Sequence, residues 1–552
     1  MADMDAVHSS ARAPTRFLIL GGGTAGWMAA LLLQRAFPNA SLTLLESSAI
    51  GTIGVGEGST PALKSFFDAV GIEEYSWMPA CGATFKSGIR FDDWSRVPGF
   101  ESYFHPFLTQ FDRDHIRALA YNSELRRRGV DVHAHPDLYC YSAYLADRAL
   151  CPVPPHSFPF DVQYGYHFDA NRLAAFMKAS AQVRGVICRD GLARHVRRDE
   201  RGDVSSVELD DGATIAADFF IDCSGFASVI TRNALGISYE TYGDALLNDR
   251  AVTFVTPPVP VAASHTTATA LPCGWVWHIP QQERTGNGYV YSSAYCSEDQ
   301  AASELAAHLG VAENAMTPRT LRFSTGRATT VWNRNTLAVG LAQGFLEPLE
   351  ATALALVQLT LARFIRYWRA GQGNARYASQ LNDEIADAYA NVKDYLHTHY
   401  LTSNRDDSGY WRACRANGSA ISPRLKAVIE TWFSGGDIAP VLHETGLGRH
   451  YKLNSWLYLL SGMGIYPRGV ALTPASREQL DKVPLASISR FLRTLHAQPP
   501  AAGGRTCAVA GGVACRARRC GDRSGPGARA DAWARFCGSV ASVRTGGSAA
   551  FD

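Results

Sequence analysis

A glycine-rich turn near the start of the chain has the spacing of a loop that holds a diphosphate. It follows the short apolar run 17–20 and precedes the Ala- and Leu-rich run 27–37, which we expect to form a buried strand and a helix. The unpaired N–H groups at the start of such a helix bind phosphate. The pattern therefore predicts dinucleotide binding. The turn residues assigned to the cofactor are Gly21, Gly23, Thr24, Ala25 and Gly26.

Three further segments extend this prediction. Glu46 lies 20 residues after Gly26, where a carboxylate accepts hydrogen bonds from the ribose hydroxyls of the adenosine. Two later segments, 219–225 and 335–340, each join an apolar strand to a glycine turn. These segments and the early position of the glycine motif favour FAD over NAD. They also add Gly340 to the predicted cofactor site.

Three other motifs narrow the class of enzyme. They are a WxWxIP sequence at 275–280, a second glycine-rich loop at 54–61, and the sequence Glu-Pro-Leu-Glu-Ala-Thr at 347–352. Together with the N-terminal turn, they resemble the flavin-dependent halogenases of the tryptophan halogenase family, from about residue 15 to about residue 470. WxWxIP is specific to that family, whereas GxGxxG is shared by many flavoproteins.

The resemblance implies a fold and a reaction. The fold is an α/β, FAD-binding Rossmann-like flavin monooxygenase fold with a mainly helical substrate-binding region. The reaction uses FADH2, O2 and bromide or chloride to form hypohalous acid, which halogenates an electron-rich arene. Trp275 and Trp277 are expected to separate the flavin from the arene. Taken alone, such a pair of indoles could instead be core packing in a strand.

The resemblance also assigns the catalytic residues. Lys86, between apolar neighbours, matches the active-site lysine, whose ammonium would hydrogen-bond hypohalous acid or whose amine would form a haloamine. Glu350 matches the catalytic glutamate, which would polarise hypohalous acid or accept the proton lost by the arene. The halide is expected at the backbone amides of Thr352 and Ala353. The family often has Ser-Thr-Gly there, so Ala-Thr-Ala leaves the halide preference open.

The substrate site departs from that of tryptophan-specific members. His105, Phe107 and Trp456 match residues that hold the aromatic substrate, as a flat apolar slot requires. The lid segment 444–464 lacks the paired tyrosines and the Phe-Trp pair that clamp the free amino acid. We therefore expect indole or an indole derivative, rather than free tryptophan, as substrate.

Two other interpretations stay open. A flavin monooxygenase that hydroxylates a phenol or indole would share the nucleotide fold, but it needs neither WxWxIP nor Lys86. A flavin-binding partner or sensor without turnover is disfavoured because both Lys86 and Glu350 are present. Product analysis with and without bromide separates the first alternative from halogenation.

Composition sets the domain organisation. We expect a disordered leader at 1–14, an FAD-binding domain at 15–350 with an aromatic insertion at about 85–165, and a mainly helical capping region at 351–500. The tail 501–552 lacks Leu, Ile and Lys and is rich in Ala, Gly and Arg. Such a segment cannot bury enough apolar surface to order itself, and it is a candidate for a non-native reading frame.

The net charge, the hydropathy and the cysteine spacing exclude several classes of protein. Without the 8 Arg and 3 Asp of the tail, 45 basic and 48 acidic residues remain, a net charge of −3 that gives no case for nucleic acid. No apolar run is long enough to span a membrane. The 12 cysteines form no CxxC pair, so no metal is predicted. We expect a cytoplasmic enzyme that is supplied by a separate NADH-dependent flavin reductase and is a candidate homodimer.

Overall fold

The computed structural model describes residues 16–51, 54, 56–110, 112–153, 161–467, 471–483, 485–497 and 531–536. Their fold is mixed α/β. The predicted leader and most of the predicted tail lie outside the described residues. Residues 531–536 of that tail are helical, and Phe536 is buried, which differs from the expected disorder for this short segment.

The N-terminal sheet contains six of the described strands. Across the sheet they are Trp332–Asn333, Thr336–Ala338, Phe219–Asp222, Arg16–Leu20, Ser41–Glu46 and Ile187–Asp190. All neighbours except the first pair run parallel. Because parallel strands end at the same edge, the loops after Leu20, Asp222 and Ala338 lie together. The predicted strand-turn-helix start and both later strand-to-loop segments are confirmed.

A second sheet contains seven of the described strands. Across this seven-stranded sheet they are Arg319–Arg322, Arg250–Thr256, Thr285–Tyr291, Gly274–Pro280, Thr266–Leu271, Gly88–Asp92 and Ser102–Pro106. A short sheet beside it contains Glu57–Gly58, Gly165–Phe168 and Thr84–Lys86. The remaining strands are Val130–Asp131, Ala193–Arg198, Val204–Leu209, Thr214–Ala216, Tyr239–Thr241, Gly326–Ala328, Gly344–Phe345 and Thr473–Pro474.

Helices cover the sheets and dominate the second half of the described chain, as predicted. Thr24–Ala36 buries almost its whole length, and the long helices Ala353–Ala370 and Ala378–Thr402 pack on each other. The other α-helices are Ala62–Val70, Glu74–Ala80, Asp112–Arg127, Tyr141–Ala146, Ala170–Val183, Glu298–Leu309, Gly409–Ala416, Pro423–Phe433, Ile438–Glu444, Leu453–Gly462, Arg477–Lys482 and Leu485–Ala497. A search of the described helices finds none that is both long and apolar enough to cross a bilayer.

One of these helices was not expected. The segment 250–330 predicted strands and turns only, but residues Glu298–Leu309 are helical. Ser297 caps this helix by accepting a hydrogen bond from the Gln300 N–H, and Gly310 ends it in the left-handed conformation. The capping residues were present in the sequence, but the strand pattern on both sides obscured them.

Candidate active site

The glycine turn is built for close approach of backbone to backbone. Gly21 has a φ of 118°, and a Cβ on it would lie 2.1 Å from the Cys223 carbonyl oxygen. A Cβ on Gly26 would lie 1.9 Å from the Gly21 carbonyl oxygen. Gly23 differs, because a Cβ there would meet no atom within 4 Å. Open space at Gly23, next to the first N–H groups of the helix at Thr24 and Ala25, fits a diphosphate.

Two other predicted cofactor residues adjoin this turn. Glu46 accepts a hydrogen bond from Lys178, and its second oxygen points to Gly22, on which a Cβ would lie only 1.9 Å away. Gly340 has a φ of 69°, and a Cβ on it would lie 2.8 Å from the Ala25 side chain. These residues would hold FAD, with Glu46 at the adenosine ribose, since a cradle of glycines and one acid suits its nucleotide half.

The open space at Gly23 leads to a testable prediction. We expect Gly23→Val to weaken FAD binding about tenfold or more while leaving the unfolding midpoint nearly unchanged, because the side chain fills cofactor space rather than protein core. FAD titration by fluorescence and thermal unfolding of the apoprotein measure the two effects. The comparison variant Gly26→Val should instead unfold the protein, because it collides with Gly21. Unchanged FAD affinity in Gly23→Val would contradict this assignment.

Lys86 ends a strand of the short sheet and is fully buried. Among the described residues its Nζ atom has no hydrogen-bond partner, and it lies 5.6 Å from the centre of the Phe107 ring. Burial lowers the pKa of Lys86 to about 7, although the negative charge of Glu350 opposes that shift. An unpaired buried amine costs folding free energy, which makes Lys86 a candidate functional residue.

Space for the amine comes from Gly58, on the far strand of the same three-stranded sheet. A Cβ on Gly58 would lie 3.0 Å from the Lys86 Nζ atom. His167, on the strand between them, hydrogen-bonds the hydroxyls of Thr84 and Thr266. Burial, with a smaller contribution from Lys86, holds the pKa of His167 well below its usual value. His167 is therefore neutral and adds no competing positive charge.

Glu350 is a buried carboxylate held by two histidines. Its Oε2 atom lies 2.9 Å from His105 Nδ1, and its Oε1 atom lies 3.1 Å from His399 Nε2. Burial acts to raise the pKa of Glu350, but the charges and hydrogen bonds of the two histidines outweigh it and lower the pKa to about 2. Glu350 is thus ionised at neutral pH, and its negative charge acts on the Lys86 amine.

Trp275 and Trp277 lie on one face of the strand Gly274–Pro280, and both are buried. Their ring centres are 6.2 Å apart. The Trp275 indole N–H donates to Glu347 Oε2 at 3.0 Å, which ties this strand to the segment that carries Glu350. Trp277 lies over Gly288 of the next strand, on which a Cβ would be 2.1 Å from the indole ring. These contacts hold both indoles in place, as the predicted barrier between flavin and arene requires.

The contact between Gly288 and Trp277 gives a second prediction. We expect Gly288→Ala to displace the Trp277 ring, lower stability by about 1–3 kcal/mol, and reduce the halogenated product formed per FADH2 consumed. Thermal unfolding and product-to-FADH2 ratios measure these effects. Gly243→Ala is the control, because a Cβ there meets no atom within 4 Å. An unchanged product ratio in Gly288→Ala, with Trp277 displaced, would contradict the expectation that Trp275 and Trp277 separate the flavin from the arene.

The predicted halide residues begin the helix Ala353–Ala370. Thr352 occupies the N-cap position, and the Leu356 N–H donates to its carbonyl oxygen. Ala351, just before it, has a φ of 54° and turns the chain from Glu350 into the helix. The Thr352 and Ala353 amides therefore lie at the positive end of an 18-residue helix, a position that attracts anions.

The predicted substrate residues fall into two groups. His105 and Phe107 are half-buried and contact Glu350 and the Lys86 amine, respectively. Trp456 is fully buried on the helix Leu453–Gly462. It is connected to His105 through Tyr395, whose ring centre is 5.2 Å from Trp456 and 5.9 Å from His105. The structure places the first pair beside Lys86 and Glu350, and Trp456 lies behind them, beyond the Tyr395 ring.

Several residues of this site were missed from the sequence. Glu347 accepts hydrogen bonds from Trp275, Asn248 and Tyr400. Glu347 is the first residue of the motif Glu-Pro-Leu-Glu-Ala-Thr at 347–352, but the sequence around it did not distinguish its role from that of Glu350. His399 lies one helical turn after Tyr395, and this spacing put both on one face of a helix. His167, on the short sheet, had no sequence signal.

Similarity to known proteins identifies the family of this chain. Residues 16–478 match the sequence profile described as tryptophan halogenase. The chain is 34% identical over 455 residues to the tryptophan 6-halogenase SttH of Streptomyces toxytricini, covering 76% of this chain and 84% of SttH. It is 31% identical to the tryptophan 7-halogenase RebH of Lentzea aerocolonigenes, covering 87% and 98% of the two chains.

Solved structures are similar as well. A flavin-dependent halogenase from Xanthomonas campestris has a TM-score of 0.77 at 32% identity, with 89% of this chain and 97% of that chain covered. The halogenase BrvH from Brevundimonas has a TM-score of 0.71 at 32% identity, with 88% and 95% covered. The fold and site thus define a flavin-dependent halogenase, an oxidoreductase. The chain belongs to the tryptophan halogenase family, whose members use FADH2, O2 and halide and generally need a separate flavin reductase.

Proposed function

We propose that this halogenase modifies indole or an indole derivative rather than free tryptophan. The supporting observation is a group of buried aromatic side chains behind His105, called here the aromatic lining, which consists of Tyr395, Tyr451 and Trp456. Tyr395 and Tyr451 stack with ring centres 3.6 Å apart, and Trp456 packs on Tyr395. These aromatic rings offer no charged partner for an amino acid's ammonium and carboxylate groups, and desolvating an unpaired zwitterion is costly.

The names of the relatives argue instead for free tryptophan as the substrate. SttH and RebH are named as tryptophan halogenases, so shared ancestry by itself favours tryptophan. A change of substrate within one fold needs only a change in the residues that contact the substrate. In this chain the lid segment 444–464 contributes Tyr451 and Trp456 to the aromatic lining, and that lining supports an uncharged arene.

The contacts of the site residues support a role for each of them in the proposed reaction. Bound reduced flavin with O2 supplies the oxidising equivalents that convert halide to hypohalous acid. The Thr352 and Ala353 amides hold the halide, and Trp275 and Trp277 keep the arene from the cofactor. The Lys86 ammonium, unpaired and buried, hydrogen-bonds hypohalous acid and orients it toward the arene. Glu350, ionised and fixed by two histidines, accepts the proton that the arene loses.

A substrate panel tests the proposal. The enzyme is incubated with a flavin reductase, NADH, FAD and either bromide or chloride, and products are identified by mass spectrometry. We expect kcat/KM for indole to exceed that for free tryptophan by about tenfold or more, since burying the unpaired zwitterion costs at least about 1.4 kcal/mol. Faster turnover of free tryptophan would overturn the substrate assignment. A hydroxylated product that forms without halide would instead support a monooxygenase.

A further inference from the structure

Two thiols and a carboxylate meet beneath the helix Glu298–Leu309, away from the residues of the proposed reaction. Cys273 lies in the turn that precedes the strand Gly274–Pro280, Cys296 lies just before the helix, and Glu304 lies on it. The two sulfur atoms and a Glu304 carboxylate oxygen all lie within 4.8 Å of one another. Both cysteines are buried, and neither forms a disulfide.

Neighbouring groups hold the three donors in place. The Tyr289 hydroxyl donates to Glu304 Oε2 at 2.8 Å and accepts the Cys273 backbone N–H at 2.9 Å. The Gln300 side chain donates to the other Glu304 oxygen at 2.8 Å. These bonds fix the carboxylate and the Cys273 backbone relative to each other. Such outer contacts orient ligands in protein metal sites.

We infer that Cys273, Cys296 and Glu304 form a binding site for a thiophilic divalent cation of the Zn²⁺ class. Two thiolates and one carboxylate are donors that Zn²⁺ accepts, with a water molecule as fourth ligand. A tetrahedral site needs sulfur atoms roughly 3.8 Å apart, so the observed grouping requires only a small contraction. The thiols each release a proton to solvent when the two metal–sulfur bonds form, and no oxidant or reductant is required.

The bound cation would connect two elements that are otherwise joined through the Tyr289 hydroxyl and apolar contacts. The buried side chains around the three donors include Val252, Val276, Ala301 and Leu305. Cys273 lies two residues before Trp275. The cation would therefore attach the helix Glu298–Leu309 to the start of the strand that carries Trp275 and Trp277. Its function would be structural, and it requires no change in the proposed reaction.

Metal binding to the whole protein tests this inference. The purified protein is treated with a chelator, returned to buffer and titrated with Zn²⁺ or Cd²⁺. We expect saturation at about one equivalent per chain, a thiolate-to-cadmium charge-transfer band, and a rise of several degrees in Tm at excess Zn²⁺. The double variant Cys273→Ser, Cys296→Ser should lose all three signals, and Glu304→Gln should bind Zn²⁺ about tenfold or more weakly.

Control measurements keep the test decisive. Cys151→Ser changes a cysteine outside the cluster and should bind metal like the unaltered protein. If the double variant fails to fold, Glu304→Gln still decides, because its amide can keep the hydrogen bond from Tyr289 while losing the charge. Absence of saturable binding, or binding unchanged in Glu304→Gln, would overturn the inference. A disulfide between Cys273 and Cys296 in peptide mapping of the untreated protein would overturn it too.

Discussion

Replacing Lys86 by methionine is expected to reduce halogenated product by about a hundredfold to ten thousandfold while leaving FAD binding intact. The variant removes the only group proposed to orient hypohalous acid, but it keeps the length and volume of the side chain. Stability should stay the same or rise, because the variant deletes a buried amine that has no hydrogen-bond partner among the described residues. Activity and stability therefore change in different directions, as expected for a functional residue.

Product yield, FAD affinity and Tm are measured together for this variant. Lys64→Met is the matched control, because the Lys64 side chain is partly exposed and pairs with Asp68 one helical turn away. The control should retain activity and lose little stability. Near-normal product formation in Lys86→Met would contradict the proposed role. A large fall in its Tm would show that Lys86 serves the fold instead.

The pH dependence gives an independent measure of the same role. Lys86 has a pKa of about 7 and is an ammonium below that value. If the ammonium orients hypohalous acid, kcat/KM falls as pH rises through about 7. Glu350, with a pKa of about 2, stays ionised throughout and adds no change in this range. A rate that rises through pH 7 would instead identify the neutral amine, and hence a haloamine, as the reactive form.

Replacing Glu350 by glutamine has the second large expected effect. The variant keeps the shape and the contacts with His105 and His399 but cannot accept the proton from the arene. We expect product formation to fall by about a hundredfold or more. It should also lower the pKa of Lys86, because the Glu350 charge opposes the effect of burial on that amine. Any residual activity should therefore decline at a lower pH than in the unaltered enzyme.

Rates across the pH range and FAD affinity measure these effects. The control is Glu430→Gln, because the Glu430 side chain is exposed and pairs with Lys426 one helical turn away. It should leave both the rate and its pH dependence unchanged. An unshifted pH profile in Glu350→Gln would show that the carboxylate does not act on Lys86. Retained product formation would remove it from the catalytic residues.

The sequence determined the nucleotide-binding turn of this protein, because the spacing of residues within the turn is enough to specify it. The turn Gly21–Gly26 requires glycines at fixed positions, and its strand and helix are adjacent in the chain. The sequence also predicts a helical segment at 350–400, where the structure has the helices Ala353–Ala370 and Ala378–Thr402. The resemblance to a known family, rather than any local rule, indicated Lys86 and Glu350.

Only the tertiary structure decided which groups surround Lys86 and Glu350. His105 lies on an edge strand of the seven-stranded sheet and His399 lies on a distant helix, yet both contact Glu350. The contact between Trp275 and Glu347 likewise joins a strand to a turn 72 residues later. Such contacts depend on how sheets and helices pack, and no spacing along the chain encodes them. The charge of Glu350 and the unpaired amine of Lys86 are consequences of that packing.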